Sequence, residues 1–229
     1  MIVKNTLVLI IVTGLLAGSA YQHANANEVG KSNANRTYQI YLLKGLADVF
    51  SSGMDFLQAK LQARGIVGAV RSHAAVESLA QSAIARWRSG SHGPIIIVGH
   101  SLGADAAIVM AQRLGSAQVP VALLVTFGPV DSAPVPSNVR RAVNYFQSNS
   151  VWHGRITAGA GFQGVLENVD LAQARGITHF NIEKVEQLHK ATVTKVLAVI
   201  STHTKAAAQQ SSQPAASPEG VSATNQSKQ

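Results

Sequence analysis

Apolar positions divide the chain into alternating stretches of two kinds. Ile182, Val185, Leu188, Val193, Val196, Leu197 and Ile200 recur at spacings of three and four, which predicts a helix over 181–200 with one apolar face. Residues 94–98 read Pro-Ile-Ile-Ile-Val, an unbroken β-branched run that predicts a strand buried on both faces. Strands are also expected over 38–43, 121–127 and 141–147, with a weaker one over 65–70. Between them, helices are expected over 54–63, 73–88 and 102–114. The resulting alternation implies right-handed βαβ crossovers and a sheet covered on both sides. We therefore expect an α/β fold with three layers, α/β/α, around a mostly parallel sheet. Residues 148–176 show no clean period and carry four glycines between 154 and 164, so they read as loops over the sheet's C-terminal edge.

The two ends have different patterns. Lys4 precedes an apolar run from Leu7 to Ala17, and Ala24-Asn25-Ala26 follows. A basic start, a short apolar centre and an A-x-A site describe an export signal over 1–26, with cleavage after Ala26. The run is too short for a comfortable membrane span, which needs ~20 apolar residues. From 205 to 229 the chain is Ala, Gln, Ser, Pro, Asn and Lys without apolar periodicity, which suggests a disordered tail. The expected folded domain is thus 27–204, in a periplasmic or secreted protein with no stable membrane anchor after cleavage.

Composition narrows the function. Cysteine is absent, which excludes disulfides, thiolate metal sites and a cysteine nucleophile. The net charge is +8, and removing 1–26 lowers it by one, since Lys4 is the only charged residue there. The basic residues are scattered and aromatics make up only 5%, so no nucleic-acid surface is expected. No H-E-x-x-H, phosphate loop or G-x-G-x-x-G occurs, and no metal or cofactor is expected.

One motif carries chemistry. Gly99-His100-Ser101-Leu102-Gly103 lies between the strongest strand and an Ala-rich helix. A serine at so sharp a turn takes strained dihedrals that lift its hydroxyl clear, and flanking glycines spare the neighbours a Cβ. The helix start then aims partial positive charge at the reacting centre.

With this elbow, the segment from Tyr38 to Ile200 resembles an α/β-hydrolase of the small lipase, esterase or thioesterase kind. The resemblance implies a Ser–acid–His triad in that chain order and an acyl-enzyme mechanism on Ser101. It implies a histidine on the loop before the last helix, where His179 stands. His153, His189 and His203 are the weaker candidates. For the acid, Asp131 follows the strand after the elbow, and Asp170 is the alternative; either could instead be a turn-forming aspartate. Asp105 is too close in sequence to reach the histidine, and Glu183 and Glu186 read as surface charges. The resemblance places one oxyanion donor at Leu102, with Leu46 for the second and Gly45 as its alternative. The expected function is cleavage of a small-molecule or lipid-like ester or thioester. An acyltransferase and a non-catalytic binding scaffold are the alternatives. The lack of a long helical insertion before His179 implies an open, shallow site.

The export reading makes a direct prediction. N-terminal sequencing of the exported protein should give Asn27 as its first residue; a chain still beginning at Met1 would make 1–26 an anchor.

Overall fold

A computed structural model describes residues 37–46, 52–131, 133–152 and 154–212. The expected signal at 1–26, the candidate His153 and residues 213–229 lie outside the described residues. The elements run β1 (Gln39–Lys44), α1 (Gly53–Gln62), β2 (Ala69–Ser72), a 3₁₀ turn (His73–Ala75), α2 (Val76–Arg88), β3 (Ile95–His100), α3 (Leu102–Ser116), β4 (Leu123–Phe127), β5 (Arg141–Phe146), β6 (Val165–Asp170), a second 3₁₀ turn (Ile182–Lys184) and α4 (Glu186–Ser212).

The six described strands form one sheet in the order β2-β1-β3-β4-β5-β6, and every pairing is parallel. Successive side chains of a strand point to opposite faces. Tyr41, Leu43, Ile95 and Ile97 therefore pack with α2 and α3, against Ala80, Ala83, Met110 and Leu114. Ile40, Leu42, Ile96 and Val98 pack on the other face with α1 and α4, against Leu57, Leu61, Val193 and Val196. Every residue of β3 is buried. This is the three-layer α/β/α arrangement that the alternating pattern implies.

Two parts of the sequence reading change. The glycine-rich segment contains a strand, β6, where only loops were expected. Its sequence, Val-Leu-Glu-Asn-Val-Asp, is half polar, and as an edge strand it buries neither end. The parallel ladder to β5, from Arg141↔Val165 to Phe146↔Asp170, supplies what periodicity did not signal. The last helix also runs on to Ser212, past the expected end of the fold at 204. Residues 204–211 are exposed there, and three alanines at 206–208 have the highest intrinsic helix propensity, so the helix continues without burial. No described helix is long and apolar enough to cross a membrane.

A polar ladder fastens the segment after β5 to the sheet. Thr126, Asn144 and Asn168 stand side by side in register on β4, β5 and β6. Thr126 Oγ1 donates to Asn144 Oδ1 at 2.8 Å. Asn144 Nδ2 donates to the Gly154 carbonyl at 2.8 Å and to Asn168 Oδ1 at 2.9 Å. Asn168 in turn bonds both backbone groups of Ile156, at 3.0 and 3.2 Å. Asn144 is fully buried, so none of these partners can turn to water instead.

Asn144→Ala should therefore destabilise the protein by about 3 kcal/mol, for three lost hydrogen bonds of ~1 kcal/mol each. Calorimetry should show Tm lower by roughly 6–12 °C, using ~2–4 °C per kcal/mol for a domain of this size. A change below about 2 °C would mean that water replaces the ladder.

Candidate active site

The turn between β3 and α3 is set by backbone crowding. Ser101 has φ 57° and ψ −128°, a left-handed conformation that is strained for a residue with a side chain. A Cβ on Gly99 would lie 2.1 Å from the Gly103 carbonyl oxygen, and one on Gly103 would lie 2.2 Å from the Leu43 carbonyl oxygen. Only glycine fits at either place. α3 can thus press its first turn onto the end of β1, and the buried alanines at 104, 106, 107 and 111 carry that close approach along the helix. The Leu102 N–H is among the first of α3, which have no acceptor within their own helix.

The histidine arrives from the far side of the sheet. His179 lies on the loop between β6 and α4, and its Nε2 is 3.0 Å from Ser101 Oγ. For the serine hydroxyl to donate to Nε2, the imidazole proton must sit on Nδ1. That nitrogen faces Gly128, where an added Cβ would come within 3.1 Å of it. The Trp152 ring covers the imidazole at a centroid distance of 4.1 Å, and Phe180 stands edge-on at 5.5 Å. Burial under these rings lowers the His179 pKa below its ordinary value of 6.5. The ring is therefore neutral near pH 7, the form that can accept a proton.

A residue not weighed in the sequence reading holds this loop. His100, the second residue of the motif, is buried, and its Nε2 is 2.9 Å from the His179 carbonyl oxygen. A carbonyl can only accept, so His100 donates from Nε2. Burial depresses its pKa to about 4, which keeps it neutral. The available signal was physical: a polar side chain ending a strand buried on both faces must find a partner.

The structure does not bring the two expected acids to His179. Among the described residues, no hydrogen bond or ion pair joins His179 to a carboxylate. Asp131 is exposed, and its backbone N–H donates to Asp105 Oδ1 at 3.1 Å. Asp170 ends β6, and its Oδ1 accepts from the N–H groups of Ser148 and Ala172 at 3.1 and 3.0 Å. That is the turn-forming role. Asp105 proves to be an anchor: its carboxylate takes the N–H groups of Val130 and Asp131, and burial pushes its pKa up to about 6. It ties the loop bearing Gly128 to the first turn of α3.

The remaining candidates have structural places. His189 is fully buried, donates from Nε2 to the Glu183 carbonyl at 2.6 Å and accepts from Lys60 Nζ at Nδ1, 3.0 Å away. His203 is half-buried on α4 at the opposite end of the sheet. Glu183 is no surface charge: it is fully buried beside Gly53 at the start of α1, and burial pushes its pKa up to about 7. Leu46 lies in the turn just past β1, 66% exposed, and His73 Nδ1 is 3.2 Å from the carbonyl of Gly45 before it. No group of His, Asp and Glu among the described residues could hold a metal ion.

Residues 57–156 match the family model described as Serine hydrolase. That segment is similar to the serine hydrolases, and it holds the sheet centre and the elbow of the three-layer α/β/α fold. The matched segment contains Ser101 and ends before His179. Solved structures similar to it include the type II thioesterase BorB from the borrelidin biosynthetic cluster, 13% identical over 69% of this chain and 92% of that one, with a TM-score of 0.45. A cutinase-like protein from Cryptococcus sp. is 15% identical over 71% of this chain and 94% of that one, with a TM-score of 0.47. Human thioesterase 2 is 10% identical over 73% and 98%, with a TM-score of 0.45. No curated protein sequence matches the chain.

The covering of His179 makes a pH prediction. The acid limb of kcat/KM should fall below pH 6.5, because activity is lost as the neutral imidazole takes up a proton. Trp152→Ala exposes the ring and eases protonation, so the limb should move up toward pH 6.5. An unmoved limb would show that Trp152 does not set the imidazole's environment.

Proposed function

We propose that the chain is an exported hydrolase that cleaves carboxylic esters or thioesters through an acyl-enzyme on Ser101. The 3.0 Å contact between Ser101 Oγ and His179 Nε2 carries this reading. His179 takes the hydroxyl proton as Ser101 attacks the acyl carbonyl. The Leu102 N–H at the start of α3 and the Leu46 N–H beyond β1 hold the oxyanion. His179 then protonates the leaving alcohol or thiol, and later activates the water that releases the acid. His100 keeps the imidazole in place throughout, and no step needs a cofactor.

The surroundings favour an acyl group lying on the surface. The enclosed space beside His179, between Gly128, Trp152 and Ile182, is only about 10 Å³, roughly room for one water. The rim is apolar instead: Leu46, Val151 and Phe180 are 66, 82 and 60% exposed. A short acyl chain can rest against Trp152 and Phe180, whereas a long one would outrun that apolar rim.

p-Nitrophenyl butyrate should accordingly be hydrolysed faster than the palmitate, and a fluorophosphonate should label Ser101. Ser101→Ala and His179→Ala should each lower kcat/KM by ~10⁴-fold or more, and the double variant should be hardly worse than either, since the pair acts as a unit. Asp131→Asn and Asp170→Asn should each stay within about tenfold, because neither carboxylate meets the imidazole; a loss of ~10⁴-fold in one would make it the triad acid. Full activity in folded Ser101→Ala would overturn the reading.

A further inference from the structure

A roomy cavity lies at the end of the molecule away from Ser101. It holds about 620 Å³, within the ~300–1,000 Å³ range of small-molecule sites. Its floor is the N-terminal edge of the sheet: Gly93 to Ile95 entering β3, Ala122 before β4, and Arg141 opening β5. Ser101 follows the other end of β3, so six residues at ~3.3 Å each place the cavity roughly 20 Å from the catalytic pair.

One wall is the overrunning half of α4. Twenty-seven residues at ~1.5 Å make that helix about 40 Å long, twice the length of the strands it covers. The helix that closes the core through Val193 and Val196 also turns Lys195, Ala198, Val199 and Thr202 to the cavity. Trp87 from the end of α2 faces them across the opening. Apolar walls alone would suit any greasy surface, but the charge is one-sided. Arg140, Arg141 and Lys195 line the cavity, and no lining residue is acidic. Neither arginine has an ion-pair partner among the described residues, and Lys195 reaches Glu167 only at 3.6 Å. Two consecutive arginines and a lysine beside an apolar trough match an oxyanion head on an aliphatic body.

We propose that this cavity binds a single-chain anionic amphiphile, an aliphatic carboxylate or phosphate monoester. The head lies between Arg140 and Arg141, and the chain lies along Ala198 and Val199 toward Trp87. Calorimetric titration of full-length Ser101→Ala tests it, since turnover is then blocked. Decanoate or decyl phosphate should bind, and the tighter of the two identifies the head. Arg140→Gln/Arg141→Gln should weaken that binding at least tenfold, and Ala198→Trp should abolish it by filling the trough. In the presence of Ser101, both variants should hydrolyse p-nitrophenyl butyrate within about twofold of wild type, which shows them folded. Decanol or decyltrimethylammonium binding as tightly as the anions would overturn the proposal. So would inorganic phosphate matching decyl phosphate, binding unchanged in both variants, or no binding by any probe.

Discussion

The structure depends on a backbone contact without side chains. α3 meets the ends of β1 and β3 so closely that a single Cβ at 99 or 103 would overlap a carbonyl oxygen. That approach forces Ser101 into a conformation residues with side chains avoid, and it aims the start of α3 at the serine hydroxyl. The strain persists because the two surrounding layers over-determine it. β3 is buried along its whole length, and α3 is buried through most of its own.

Around that fixed point, buried polar groups position the mobile parts of the chemistry. His100 reaches from the elbow to the carbonyl of His179, Asp105 reaches from α3 to the loop that faces the imidazole, and Asn144 holds the segment that follows Trp152. Each bonds backbone of the loop it meets, Asn144 through the Gly154 carbonyl beside its two side-chain partners, so each fixes the path of a loop. Removing such a partner leaves a buried donor or acceptor unmatched, at about 1–3 kcal/mol apiece.

The two ends of the sheet have opposite characters. The C-terminal edge carries the contact between Ser101 and His179 and, beside His179, a space of only about 10 Å³. The N-terminal edge carries a roomy cavity with one-sided positive charge, made by a helix that outruns its sheet. α4 is thus more than a packing element, since it closes the core through Val193 and Val196 and lines the cavity from Thr194 to Ala206.

The sequence by itself determined the layers and the sharp turn that carries Ser101. Runs such as Ile95-Ile96-Ile97-Val98 and the period of α4 reflect burial, which acts on each residue's own solubility and is legible one position at a time. The glycines at 99 and 103 mark a close approach for the same reason, because only one residue type satisfies it. His179 was legible through its place before the last helix. Tertiary structure alone decided the rest. β6 exists because β5 offers it a ladder, not because its half-polar sequence demands a strand. Asp131 and Asp170 carry the right chemistry, yet the fold turns one outward and assigns the other to two backbone amides. His100 stood only as part of the motif and Glu183 as a surface charge until packing buried them, and Asp105, too close in sequence to reach the histidine, anchors a neighbouring loop instead. Which groups meet across some eighty residues of chain is set by how the layers pack, and that relation belongs to no single stretch of sequence.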